Sequence, residues 1–263
     1  ALALALATPA MAVTADELWA EWQSQAAALG QTMTAEEVVP GDGTLTLRGF
    51  STSFADADVA TVGRLEQIVM TEAGDGSVSI DLSDVYEITI TFEDLPGAPP
   101  VNLGVNVLMP DLAMTASGEA GARLYAYSAP RITIEDGPIT GGSGAPPTID
   151  MMIGIDTMTA TYEIDGSNPE NIAYVTDTQI GGIAGAVDIL PPPGEEGSLK
   201  LVFSLGATTA SGSGRLGNLA ALAAAPDTIP ARARQRQVAP PRQQRPRQQE
   251  RGANAGADSL VGL

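Results

Sequence analysis

Six separate stretches of this chain alternate apolar and polar side chains with a period of two residues, which is the pattern of half-buried antiparallel strands. Leu45 and Leu47 stand between Thr44, Thr46 and Arg48, and Val78, Ile80 and Leu82 between Ser77, Ser79 and Asp81. Tyr86, Ile88, Ile90 and Phe92 oppose Glu87, Thr89, Thr91 and Glu93. Val101, Leu103, Val105, Val107 and Met109 form a fourth run, Ile149, Met151, Ile153 and Ile155 a fifth, and Leu199, Leu201, Phe203 and Leu205 a sixth. Turn chemistry separates them at 41–43, 74–76, 94–100, 136–138, 141–147 and 165–168, all rich in Gly, Asp and Pro. The expected fold is mainly β: a long, curved antiparallel meander, an open sheet or half-barrel, with its apolar face covered in part by one N-terminal helix.

That helix is expected over 14–29. Thr14-Ala15-Asp16-Glu17 has capping-box spacing, in which the Thr14 hydroxyl accepts from the Glu17 amide and the Glu17 carboxylate reaches back. Leu18, Trp19, Trp22, Ala26 and Leu29 recur on one side at helical spacing, and Gly30 supplies a left-handed stop. The stripe carries both tryptophans, so Leu18, Trp19, Trp22 and Leu29 are expected to dock the helix on the sheet. A second, Ala-rich helical pattern runs from Leu216 to Ala225.

The two ends differ from the body. Residues 1–12 alternate Ala and Leu, then give Thr8-Pro9 and the small-x-small string Ala10-Met11-Ala12. This reads as the remnant of an export leader cut after Ala12, with its basic region upstream, and it places the product in the periplasm. Twelve residues are too few to span a bilayer and no later stretch is long enough, so no membrane span is expected. Residues 1–230 hold 30 acidic and 6 basic side chains, net −24, and residues 231–263 hold 2 and 7, net +5, which together make −19. So acidic a body repels nucleic acid and anionic headgroups. From Pro226 onward Arg, Gln and Pro alternate without apolar period, which reads either as a disordered basic tail or as out-of-frame translation. The organisation is thus a leader remnant (1–12), a β-rich domain (13–225) and a tail (226–263).

With neither cysteine nor histidine, Ser-His-Asp and Cys-His catalysis, ordinary zinc sites and disulfides are excluded. No phosphate-cradling loop is present, and Ser198 and the single lysine, Lys200, are merely two apart on a strand. The pairs Asp56/Asp58, Glu36/Glu37, Glu93/Asp94 and Glu135/Asp136 read as solvated surface rather than as glycosidase acid and base. Asp42, Asp75, Asp136 and Asp165 read as turn formers rather than calcium ligands. No cofactor or metal is expected. Methionines 109, 114, 151, 152 and 158 read first as core filler and, alternatively, as a deformable apolar surface. The candidate groove residues are Met109, Met114, Met151, Ile153 and Ile155.

The strings Val13-Thr14-Ala15-Asp16-Glu17-Leu18-Trp19, Gly49, Gly74-Asp75-Gly76 and 110–118 (PDLAMTASG) resemble an exported alphaproteobacterial family known as domain of unknown function 2125. The resemblance covers roughly 13–230. It implies a leader, a Trp-bearing helix and a β-meander that continues with further strands where this chain turns Arg-rich, and it supplies no catalytic residue. Three functions stand open at this point. The first is a non-enzymatic periplasmic protein that binds an apolar small molecule or an envelope partner on the concave sheet face. The others are a structural or assembly protein with a self-buried face, and a carboxylate-dependent hydrolase.

Overall fold

The computed structural model describes residues 12–55, 59–92, 99–142, 144–166 and 171–217. The leader remnant up to Met11, the tail from 226, and the pairs Asp56/Asp58 and Glu93/Asp94 lie outside them. The chain is mainly β. One helix, α1 (Ala15–Ala28), precedes thirteen strands that form a single antiparallel sheet, open rather than closed into a barrel.

The strands are β1 (Thr32–Thr34), β2 (Glu37–Gly41), β3 (Thr44–Ala55), β4 (Val59–Glu72), β5 (Val78–Leu82), β6 (Val85–Phe92), β7 (Val101–Leu108), β8 (Ala113–Glu119), β9 (Ala122–Gly141), β10 (Thr148–Asp165), β11 (Asn171–Leu190), β12 (Leu199–Leu205) and β13 (Thr208–Gly217). They join end to end into nine ribbons. β5 and β6 run in line along the two halves of β4, β7 and β8 along those of β9, and β12 and β13 along those of β11. β1 and β2 likewise share one side of β3. Every ribbon pairs with its predecessor, which makes the sheet a meander. At 20 residues, β9 spans about 65 Å.

The breaks fall on one line across the sheet. Following the register from ribbon to ribbon, the line runs through Gly49, Glu66, Ser83–Asp84, Pro110–Asp111, Pro130, Thr157, Gly181 and Gly206–Ala207. Gly49, Asp111 and Thr157 on it have positive φ, at 58°, 58° and 33°. At this crease the inward positions advance by three residues instead of two: Leu47 to Phe50, Leu65 to Ile68, Ala129 to Ile132, Ile155 to Met158 and Ile180 to Ile183. A residue out of the extended region rotates the pleat, so alternation restarts in the opposite phase while the ladder continues in register.

The helix forms for local reasons. Thr14 Oγ1 accepts from the Glu17 amide at 3.2 Å, and Glu17 Oε2 accepts from the Thr14 amide at 3.2 Å. At the other end Gly30 (φ 75°) closes a Schellman motif, with Gln31 N–H donating to Ala26 O and Gly30 N–H to Ala27 O. The core lies between α1 and the sheet half on its side of the crease: Leu18 and Trp19 from the helix against Leu45, Leu47, Ile68, Met70, Val78, Ile80 and Ala116.

Two expectations are corrected. Residues 136–138 are not a turn between strands but a bulge inside β9, where the register against β7 shifts between Leu103 and Val105. Pro138 has no N–H to give the ladder, and Asp136 Oδ1 takes the Met151 amide at 2.7 Å. The helical pattern from Leu216 begins on strand: residues 216 and 217 pair with 172 and 171 in β13, and 218–225 lie outside the described residues. Two short strands, β1 and β2, also precede the first alternating run.

Candidate apolar binding site

Register and alternation sort the side chains into two unlike faces. The face under α1 carries Phe50 and Phe54 of β3, Tyr86 and Phe92 of β6, Tyr125 and Tyr127 of β9, Tyr162 of β10, Tyr174 of β11 and Phe203 of β12. With Trp19 and Trp22, which point from α1 onto the sheet, these are all of the two Trp, five Tyr and four Phe in the chain. The opposite face presents Arg64, Glu66, Glu87, Thr89, Thr91, Asp150, Asp156, Thr159, Glu163 and Asp188.

Several rings lie flat because a glycine sits beneath them. Tyr174 faces Gly214 and Phe203 faces Gly185 directly across their strands, and Tyr86 leans over Gly63. A methyl group added at Gly63 would fall 1.9 Å from Tyr86 Oη, and one at Gly214 2.8 Å from Tyr174 Oη. These glycines keep the inner face level.

Farther beyond the crease no helix among the described residues lies over this face. Its floor there is Ile88, Ile90, Val101, Leu103, Val105, Val107, Ile132, Ile134, Ile149, Met151, Ile153, Ile155, Val187 and Ile189, mostly half-buried, ending at the more exposed Leu199, Leu201 and Leu205. Astride the crease a cavity of about 420 Å³ opens under the C-terminal half of α1. Trp22, Leu29, Met33, Leu82, Tyr86, Met109, Met114, Tyr127, Tyr162 and Ile164 are among its walls.

Two polar contacts fix the helix over this cavity. Trp22 Nε1 donates to Tyr125 Oη at 3.1 Å. Arg123, 2 % exposed, forks onto Glu21 through Nε to Oε2 at 2.8 Å and Nη2 to Oε1 at 3.0 Å, and Nη1 donates to Gly118 O. Glu21 Oε1 also accepts from the Gly121 amide at 3.2 Å, so the helix grips the whole β8–β9 hairpin. Burial raises the Tyr127 hydroxyl to about 12, with Tyr125 and Tyr162 adding to it. Tyr125 is raised by burial despite the Trp22 hydrogen bond, and Tyr162 by burial.

The candidate groove residues share this one face in two places. Met109 and Met114 line the cavity; Met151, Ile153 and Ile155 lie beyond the crease on β10. Of the docking residues, Leu18 and Trp19 are buried, Trp19 edge-on to Phe50 at 6.1 Å, while Trp22 and Leu29 are half-buried cavity walls. Sequence reading missed Glu21 and Arg123, 102 positions apart, and the tyrosines at 125, 127 and 162.

The acidic pairs diverge. Glu37 pairs with Arg48 at 2.9 Å, whereas Glu36 lies against Gly49. Asp75 accepts from the Ser77 amide and hydroxyl, and the hydroxyl bond holds its carboxyl below the usual range. A polar depression of about 910 Å³ along the crease is lined by Glu36, Glu66, Asp84, Glu87 and Arg64, but among the described residues no three acidic groups gather as a metal site. No helix among them is long and apolar enough to cross a membrane.

Comparison with protein-family models, curated proteins and solved structures finds no match to this chain.

Proposed function

We propose that the protein is an exported, non-enzymatic carrier that holds an apolar ligand on the helix-bearing face of its sheet. The observation that carries this reading is the segregation of every aromatic onto one face, continued past the helix as an aliphatic floor that no helix among the described residues covers, with a cavity where the helix ends. A contiguous apolar face of this size, half-buried among the described residues, is the kind of surface that marks a binding site. A hydrolase needs its carboxylates to face each other across a cleft; Glu66 and Glu87 of the crease depression stand on the opposite, polar face, apart from the aromatic face on which this reading rests.

Export rests on the leader string and the resemblance. Cleavage after Ala12 would leave the Val13 nitrogen, 3.2 Å from Gly76 O, able to keep donating to that carbonyl. Protein from the full gene, recovered from the periplasm, is expected to begin at Val13. Native mass spectrometry of that material is expected to show a co-purifying apolar molecule, and an apolar fluorescent probe is expected to bind the delipidated protein. A ligand-free spectrum together with no probe binding would return the protein to the structural reading.

A further inference from the structure

On the reading that an apolar ligand binds this face, we propose that the ligand carries no negative charge: it is an uncharged long-chain lipid rather than a fatty acid or an anionic phospholipid. The cations decide it. Residues 12–217 contain Arg48, Arg64, Arg123, Arg131, Lys200 and Arg215 as their basic side chains. By register, all but Arg123 project from the opposite face, where Arg48, Arg131 and Lys200 meet Glu37, Asp156 and Asp188. Arg123 is on the inner face, yet its fork is filled by Glu21 and the Gly118 carbonyl.

The inner face therefore offers a carboxylate or phosphate headgroup no counter-charge among the described residues. An anion drawn onto it would be desolvated without a partner. The inward carboxylate beyond the crease, Asp136, repels it further. A headgroup left at the rim still meets the acidic side chains within the screening length of about 8–10 Å, in a body whose residues 1–230 carry a net −24. What the cavity does offer is neutral: the amides of Gln25 and Gln31 and the hydroxyls of Tyr86, Tyr127 and Tyr162.

The test is competition against bound N-phenylnaphthylamine on the full-length protein at pH 8, with ligands of one chain length. Monopalmitoylglycerol and methyl palmitate are expected to displace the probe, and palmitate to do so at least about tenfold more weakly. Thr178→Lys, which sets a cation on the inner face of β11, is expected to strengthen palmitate about tenfold and leave monopalmitoylglycerol unchanged. Palmitate binding as tightly as its methyl ester would overturn the inference and leave the carrier reading intact, as would tighter binding by hexadecylamine, which would make the ligand a cation. Failure of the probe itself to bind would remove the carrier reading first.

Discussion

Arg123 is the residue on which the helix–sheet contact turns. It is buried, charged and satisfied on all sides, and its partner Glu21 is itself only 21 % exposed. Removing one member of such a pair leaves the other charge without compensation. Arg123→Ala is expected to cost about 3–5 kcal/mol in urea unfolding, far more than the loss of the exposed Arg131–Asp156 pair at 3.5 Å, worth about 0–1 kcal/mol. Equal effects of Arg123→Ala and Arg131→Ala would mean that α1 is not held this way. Tyr127 sets a second residue-scale expectation. Burial pushes its folded hydroxyl up to about 12 against about 10 in an unfolded chain, so the folded state keeps a proton that the unfolded state gives up. The stability this contributes is whole below pH about 10 and is lost as pH rises from there through the folded value. Tyr127→Phe is expected to flatten the alkaline fall of the urea midpoint, and an unchanged slope would contradict the burial of the ring.

At the scale of elements the helix and the crease behave differently. Trp19 fills the core and Trp22 walls the cavity, so Trp19→Ala is expected to cost about 3–5 kcal/mol and Trp22→Ala distinctly less, while Trp22→Ala weakens probe binding more. Thr157 is a β-branched residue at φ 33°, a conformation costing about 1–2 kcal/mol for an L side chain. Thr157→Gly is therefore expected to raise the urea midpoint, the reverse of the usual effect of glycine within a strand. The helix was legible because its capping box, apolar stripe and stop residue all act within seventeen positions of one another. The strands were legible only in halves. Ile149 to Ile155 reads as a strand and Met158 to Ile164 has the same alternation in the other phase, so Thr157 hides the fact that β10 is one 18-residue element. In β4 the spacing Leu65, Ile68, Met70 fits neither period, and the strand passed unnoticed. The Arg123–Glu21 contact spans 102 positions and has no local signal at all.

For the whole molecule, the crease separates a half that holds most of the core formed by the described residues from a half that holds little of it. The residues buried nearly to zero exposure, Leu18, Leu45, Leu47, Ile68, Met70, Val78 and Ile80, lie on the helix side, while beyond the crease Phe50, Gly63 and Leu65 next to it are buried and the apolar residues farther out are half-buried or exposed. Both halves share one hydrogen-bonded meander, so the difference between them is apolar burial and not backbone pairing. Opening a region costs roughly what its side chains gain by burial, at about 25 cal/mol per Å². The amides of 101–107, 149–155 and 183–189 are therefore expected to exchange with deuterium faster than those of 45–47, 68–70 and 114–116 in ligand-free protein. A lipid seated on the open floor buries it, and linkage then lowers the open population in proportion to ligand over Kd. Saturating monopalmitoylglycerol is expected to slow exchange in 101–107, 149–155 and 183–189 selectively. Equal protection of both halves without ligand would show that the floor is already covered, and slowing confined to the helix side would place the ligand in the 420 Å³ cavity alone.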